Sequence, residues 1–250
     1  INASTVATFS YWNCGGYNNT SAHCTSKFLE DRKPLVHFTA EVSSANWARL
    51  ASEDPSEYMV IPGVEPDQQD RAAGISAKIH KSFYRFFIGA VNYSSRILML
   101  KFRAFKRTLV LIGVHAPSGP SRRATEYFNQ LNSILESLGN RCEVLIIGDL
   151  NSKLQRSTDV CGQYSPHWFS SSNGKKTEQL CRDHNMRVEN SFYPRNKRAG
   201  GHFTHHHWNS RIAPSVIDHI IVKRRWLSSI KKCSLAWMDE RFGHRKDHAI

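Results

Sequence analysis

Residues 144–151 read Val144-Leu145-Ile146-Ile147-Gly148-Asp149-Leu150-Asn151: four apolar residues in succession, then a glycine, an acid and an amide. The apolar run is short for a helix and has no polar face. It predicts a strand covered on both sides, as inside a sheet with layers above and below. An acid and an amide then follow at the strand's carboxyl end, where sheet proteins commonly place ligands. In extended chain Asp149 and Asn151 share a side. Asp149 suits proton transfer from water, and the Asn151 amide suits holding that water or a phosphate oxygen. A strand ending in an Asx-turn would show the same residues.

Further strand-like runs lie at residues 5–12, 35–41, 85–91, 97–102, 109–115, 201–204 and 216–222. Between them, Ala124, Tyr127, Phe128, Leu131, Ile134, Leu135 and Leu138 recur at three- and four-residue spacing and predict a helix over 121–138. Ser121 can cap its start and Gly139 follows its end. A second helix is expected over about 174–185, capped by Asn173, and a third over 45–51. Strands joined by short turns, with helices between, predict an α+β protein whose helices pack outside two central sheets; the topology stays open. No repeat, low-complexity tract or linker interrupts the chain, so residues 1–250 are expected to form one domain.

Composition narrows the partners. The 34 basic and 21 acidic residues leave a net charge of +13, which suits a polyanion, although a merely soluble basic protein would carry it too. No apolar run approaches the ~20 residues of a membrane span, so no membrane partner is expected. The start lacks a basic leader and an apolar stretch, so secretion is not expected. With no initiator Met either, excision from a longer polyprotein is expected. Six scattered cysteines without a C-x-x-C pair argue against a zinc finger and for reduced, buried thiols.

Two more elements can carry chemistry. Asp218 sits inside the apolar run 216–222, where a carboxylate needs a cationic or imidazole partner or backbone hydrogen bonds. Asp247-His248 near the end supplies a candidate: His248 against Asp218 would form a carboxylate–imidazole pair.

In order along the chain, these pieces resemble the endonuclease/exonuclease/phosphatase superfamily, and within it the apurinic-like endonuclease domain of non-LTR (LINE-type) retrotransposons. The blocks are Phe9-Ser10-Tyr11-Trp12-Asn13, Leu35-Val36-His37-Phe38-Thr39-Ala40-Glu41, residues 109–117 ending in His115-Ala116-Pro117, Gly148-Asp149-Leu150-Asn151, His202-Phe203-Thr204, Ser215-Val216-Ile217-Asp218 and Asp247-His248. Three positions depart from the family's habit: Ala40 stands where Gln is usual, His115 where Tyr is usual, and Lys246 where Ser is usual.

The resemblance implies a four-layer sandwich of two mixed sheets flanked by helices, the DNase I-like fold. It implies hydrolysis of a phosphodiester in double-stranded DNA, leaving a nick with 3′-hydroxyl and 5′-phosphate ends. Glu41, with Asn13 and Asp247, would hold Mg²⁺ (or Mn²⁺ in its place). Asp149 would activate water, Asn151 would position it, and His248, oriented by Asp218, would bond the scissile phosphate, with His115 also donating to it. Arg122, Arg123, Thr204, Trp208, Arg211 and Ser215 are the expected DNA contacts, the last four in or beside a hairpin suited to the minor groove. It further implies a nuclear site of action, a reverse transcriptase downstream in the same polypeptide and a monomeric isolated domain. An abasic-site repair endonuclease, a catalytically weak DNA-binding module of the same fold and a phosphatase acting on lipid or inositol headgroups are the alternatives.

Overall fold

The computed structural model describes residues 6–53, 55–67, 70, 73–104, 107–139, 142–194, 203–207, 209 and 211–234. Two β-sheets lie face to face. The first has four strands in the order β1 (Phe9–Asn13), β2 (Val36–Ala40), β4 (Ile75–His80) and β3 (Tyr58–Pro62). The second has six, in the order β5 (Phe87–Ser94), β6 (Ile97–Ala104), β7 (Arg107–His115), β8 (Cys142–Asp149), β10 (Asp218–Lys223) and β9 (Met186–Val188). β1 with β2 and β7 with β8 are parallel, and the other pairs are antiparallel, so both sheets are mixed.

The run that opens the sequence reading is β8, and alternation along it builds two cores. Leu145 and Ile147 join Phe38, Ala77 and Leu111 between the sheets. Val144 and Ile146 face the other way, packing with Leu131, Ile134 and Leu135 of α4 (Arg122–Leu138) and with Leu180 of α5 (Ser172–Asp183). The outer side of the first sheet is covered by α1 (Asn19–Arg32) and α2 (Ser44–Ala51), whose Phe28, Leu29, Trp47 and Leu50 pack around Trp12, and a single turn, α3 (Lys81–Tyr84), follows β4. The layer order is helix, sheet, sheet, helix, the four-layer α+β sandwich. The sheets approach so closely at Gly113 that an added Cβ would stand 2.3 Å from Phe38 Cδ1. Among the described residues, no helix is long and apolar enough to cross a membrane.

The expected helix over 121–138 is α4, with Ser121 Oγ accepting from Ala124 N at 3.1 Å and Gly139 just past its end. Asn173 is not the cap of α5: Ser171 is, accepting from Gly174 N at 3.1 Å, and Asn173 lies in the first helical turn. Helix α1 is absent from the sequence reading because its buried stripe mixes Ser21, Cys24 and Thr25 with Phe28 and Leu29, which blurs the apolar period. Strand β4 escaped for a similar reason. It buries Lys78, whose Nζ lies 3.0 Å from a Glu53 carboxylate oxygen and donates to the Tyr17 hydroxyl at 3.4 Å. Residues 201–202 of the expected strand 201–204 lie outside the described residues. Phe203 and Thr204 are in no strand, and the nearby His205 bridges antiparallel to Ser215.

Beside Lys78 on the neighbouring strand, His37 is fully buried, with Nδ1 2.9 Å from Ser10 Oγ. Burial first, and the Lys78 charge second, lower its pKa from 6.5 to about 3. The unfolded chain therefore binds a proton between these values that the folded chain does not. His37 leaves stability undiminished above pH 6.5 and erodes it as pH falls toward 3, by up to about 1.4 kcal/mol per pH unit. In urea titrations of parent and His37→Gln at pH 7 and pH 5, the parent is expected to lose more stability between the two. Equal losses would show that His37 titrates alike in both states.

Candidate active site

The carboxyl ends of β1, β2, β7 and β8 gather at one edge of the sandwich. In-register pairing places Asn13 beside Ala40, His115 beside Asp149, and Asp149 across from Asp218 at the start of β10. Asn13 is buried, and its side-chain amide joins the two sheets. Asn13 Nδ2 donates to Glu41 Oε1 at 2.8 Å and to Asp149 Oδ2 at 3.1 Å, while Oδ1 accepts from Gly15 N at 3.1 Å. Glu41 follows β2 with φ of 60°, a left-handed conformation uncommon for glutamate, which breaks the strand there. Strain of this kind, worth about 1–3 kcal/mol, often accompanies functional sites.

The chain also turns sharply after Asp149. Asn151 has φ of 48°, so extended alternation does not carry past the strand. Instead Asn151 N donates to Asp149 Oδ1 at 2.7 Å, an Asx-type turn, and Asn151 Nδ2 donates to the carbonyl of Ala116 at 2.8 Å. Ala116 N in turn donates to Asp149 O at 2.7 Å. Asn13 and Asn151 thus each donate an N–H to one oxygen of Asp149, which orients the carboxylate.

His115 is buried between two charged neighbours. Its Nε2 lies 3.4 Å from Glu41 Oε1, and its Nδ1 lies 3.3 Å from Arg96 Nη1. A guanidinium has only donors, so Nδ1 accepts and the ring proton sits on Nε2, facing Glu41. Arg96 Nη1 also bonds His115 O at 3.2 Å, and its other nitrogens bond Asp70 at 3.0 and 2.5 Å. Tyr11 lies below, with its hydroxyl buried. Burial, then the Asp149 and Asp218 charges, push its pKa well above the usual 10, so the phenol stays protonated.

Asp218 is buried, and its backbone N donates to Thr204 Oγ1 at 3.1 Å, as Ile217 N does at 3.0 Å. Ser215 exchanges backbone hydrogen bonds with His205, which ties the segment holding Thr204 to the approach to β10. Arg122 and Arg123 are exposed at the start of α4, and Arg122 Nε pairs with Glu126 at 2.7 Å. Arg211 is exposed in a turn. Asp247, His248 and Trp208 lie outside the described residues. Asn13, Glu41, His115, Asp149, Asn151 and Asp218 thus meet at one edge, with Thr204 and Ser215 behind it.

The sequence reading missed Tyr11, Arg96, Asp70 and Asn173, the last of which donates to Pro117 O at 2.9 Å. None carries a local signal, because each acts through residues distant in sequence. Asn173 alone, in an Asn-Gly pair, was singled out, and then only as a cap. Trp12 and Trp47 pack together in the core.

Mixed sheets back to back, helices outside, and carboxylates converging with an amide and an imidazole at one edge define the DNase I-like architecture. The chain has the DNase I-like fold, an α+β sandwich of two mixed sheets flanked by helices. No family model matches it. Among solved structures it is similar to the AP endonuclease LMAP from Leishmania major, with a TM-score of 0.73 at 14% identity over 100% of this chain and 87% of that one. The 3′ phosphatase NExo from Neisseria, bound to a product DNA hairpin, gives 0.69 at 13% identity over 98% and 97%. The endonuclease domain of TRAS1, a telomere-specific non-LTR retrotransposon, gives 0.63 at 13% over 96% and 93%. In sequence the chain is similar to craniofacial development protein 2 of Bos taurus, 23% identical over 224 residues, which are 88% of this chain and 36% of that protein. The chain spans about a third of the length of the curated relatives it matches, 36% and 33%.

Proposed function

We propose that this chain is a divalent-metal-dependent endonuclease that nicks double-stranded DNA, leaving 3′-hydroxyl and 5′-phosphate ends. The observation that carries the reading is the Asn13 amide, which draws the Glu41 and Asp149 carboxylates of two different sheets together at the strand ends. Two carboxylates around one neutral amide repel each other, which favours a cation nearby, and their hard oxygens suit Mg²⁺. The donor set fits such an ion: Glu41 is partly exposed and Asn13 adjoins it, as the expected holders. Among the described residues no group of three or more His, Cys, Asp or Glu forms a ready metal cluster; Mg²⁺ needs only one or two carboxylates, because it keeps much of its water. When bound, the cation would polarise the phosphate and neutralise the leaving 3′ oxygen.

The protein's own groups do the rest. Asp149, oriented by Asn13 and Asn151, takes a proton from the attacking water. His115 presents an Nε2–H donor at the position where the resembled family carries tyrosine. Asp247 and His248 keep the roles assigned from sequence, metal or leaving-group assistance and a phosphate contact oriented through Asp218. A net charge of +13, with Arg122, Arg123 and Arg211 exposed, supports a DNA backbone as partner. We further read the nick as the primer for reverse transcription of a retrotransposon in the nucleus, with the transcriptase in the same polypeptide. The isolated chain is expected to form one monomeric domain over 1–250.

The deciding assay is nicking of supercoiled plasmid with Mg²⁺ or with EDTA, beside cleavage of a duplex carrying one abasic site. Open circles with Mg²⁺ alone support the reading. Cleavage confined to the abasic duplex would replace it with repair, and no cleavage despite DNA binding would replace it with a binding module. Arg96 offers a finer check. Arg96→Met is expected to lower the nicking rate about 10- to 100-fold by freeing the His115 tautomer, as loss of an orienting partner does elsewhere. Nitrogen-15 shifts of the His115 ring should show Nδ1 unprotonated in the parent and a tautomer mixture in the variant. An Nδ1-protonated ring in the parent would sink the assignment.

A further inference from the structure

Between Asn151 and α5 the chain makes a long excursion that folds back on itself. Arg156 N donates to His167 O at 3.0 Å, Gln155 N to Ser170 Oγ at 2.8 Å, and Ser171 N to Lys153 O at 2.9 Å. The excursion is pinned to the site as well, since His167 Nε2 accepts from Val216 N at 3.1 Å, two residues before Asp218. On its returning limb, Trp168 and Phe169 stand in water, 64% and 83% exposed, and the Arg156 guanidinium lies 3.2 Å over the Trp168 ring.

Two consecutive aromatic side chains left in water, beside a site and held by a hydrogen-bonded loop, mark a contact surface rather than a stray exposed residue. Charge selects the partner. A chain of +13 whose exposed ring already carries an arginine repels basic partners and suits a polyanion that also offers flat apolar faces. Nucleobases do both, and aromatic rings stack on them whatever the sequence. Reach agrees: Phe169 is four residues from Asn173, roughly 14 Å of extended chain at most, and the Asn173 amide contacts the loop after His115.

We propose that Arg156, Trp168 and Phe169 form a stacking platform for an unpaired or distorted base flanking the scissile phosphate. Stacking needs a base face, which an intact duplex hides and a bulge, bubble or frayed end exposes. The platform therefore makes the protein prefer locally opened DNA. The inference rests on the nuclease reading only for the position of the scissile phosphate.

The test measures binding in EDTA, where no cleavage interferes, to a labelled duplex with a central bubble and to the same duplex fully paired. The parent is expected to favour the bubble. The Trp168→Ala/Phe169→Ala protein should bind the bubble about 10- to 100-fold more weakly, lose little on the paired duplex, and keep the slope of log K against log salt, since stacking releases no counterions. Trp168→Phe/Phe169→Tyr, which keeps both rings, should bind like the parent. Parent-like binding of the bubble by the double alanine protein overturns the proposal, and so does an equal loss on both duplexes, which would indicate a general or protein-directed surface. Plasmid nicking by the parent is scored alongside. Failure to nick with Mg²⁺ removes the nuclease reading, whereas normal nicking with unchanged bubble binding removes the platform alone.

Discussion

Asp149→Ala protein is expected to bind DNA as the parent does and to leave supercoiled plasmid closed, its nicking rate down by about 10²–10⁴-fold, the usual contribution of a positioned general base. The Asp149 side chain is fully buried and held by two N–H donors, from Asn13 at 3.1 Å and Asn151 at 2.7 Å. Removing it deletes the proton acceptor and also frees the Asn13 amide that orients Glu41. The loss should therefore lie toward the upper end of that range, and Asp149→Asn, which keeps the shape, should be impaired almost as deeply because an amide cannot take the proton. Retained binding follows because the exposed Arg122, Arg123 and Arg211 are untouched. Rates within tenfold of the parent for both variants, with DNA bound equally, would withdraw Asp149 from the chemistry.

Gly148→Ala is expected to be the most destabilising single methyl at the strand ends that gather the candidate site. Gly148 has φ of 151°, which L side chains rarely adopt, and a Cβ there would stand 2.0 Å from the carbonyl oxygen of Val114. That oxygen belongs to the neighbouring parallel strand, so relief requires β7 and β8 to separate where they carry His115 and Asp149. Overpacking and backbone strain cost about 1–3 kcal/mol each, so a loss on the order of 4 kcal/mol is expected. For a chain of this size that lowers Tm by roughly 10 °C. Gly89→Ala is the control: Gly89 has no backbone constraint of this kind and nothing within 4 Å, so its Tm should move little. Equal melting of the two variants would mean that the strand edge yields easily.

Why Gly148 precedes the acid is thus a steric matter that its bare presence in Gly148-Asp149-Leu150-Asn151 does not reveal. The layered architecture was legible wherever one physical signal dominated. The apolar run of β8 and the stripe of α4 are examples, since burial on two faces or one leaves an unmistakable period. Elements that bury polar groups in satisfied networks were not legible. Helix α1 hides Ser21 and Thr25, and β4 hides Lys78 beside Glu53 and Tyr17. At the site, Asp149 was legible at the end of its apolar run, whereas Asn13, Glu41 and His115 were marked only by the family resemblance of the blocks they belong to. Arg96 and Tyr11 were not, because their importance lies in what the fold brings to them, a histidine 19 residues away and a carboxylate on the other sheet.

The hydrogen bond from Asn13 to Asp149 spans 136 positions of chain and crosses from one sheet to the other. A site hung on that bond is a gauge of the seam between the sheets. Anything that lets one sheet slide on the other, such as a bulkier side chain opposite Phe38, alters the geometry of the carboxylates without touching them. Under the proposed function, nicking activity would then report the integrity of the whole sandwich, and neither half alone would carry a working remnant of the site.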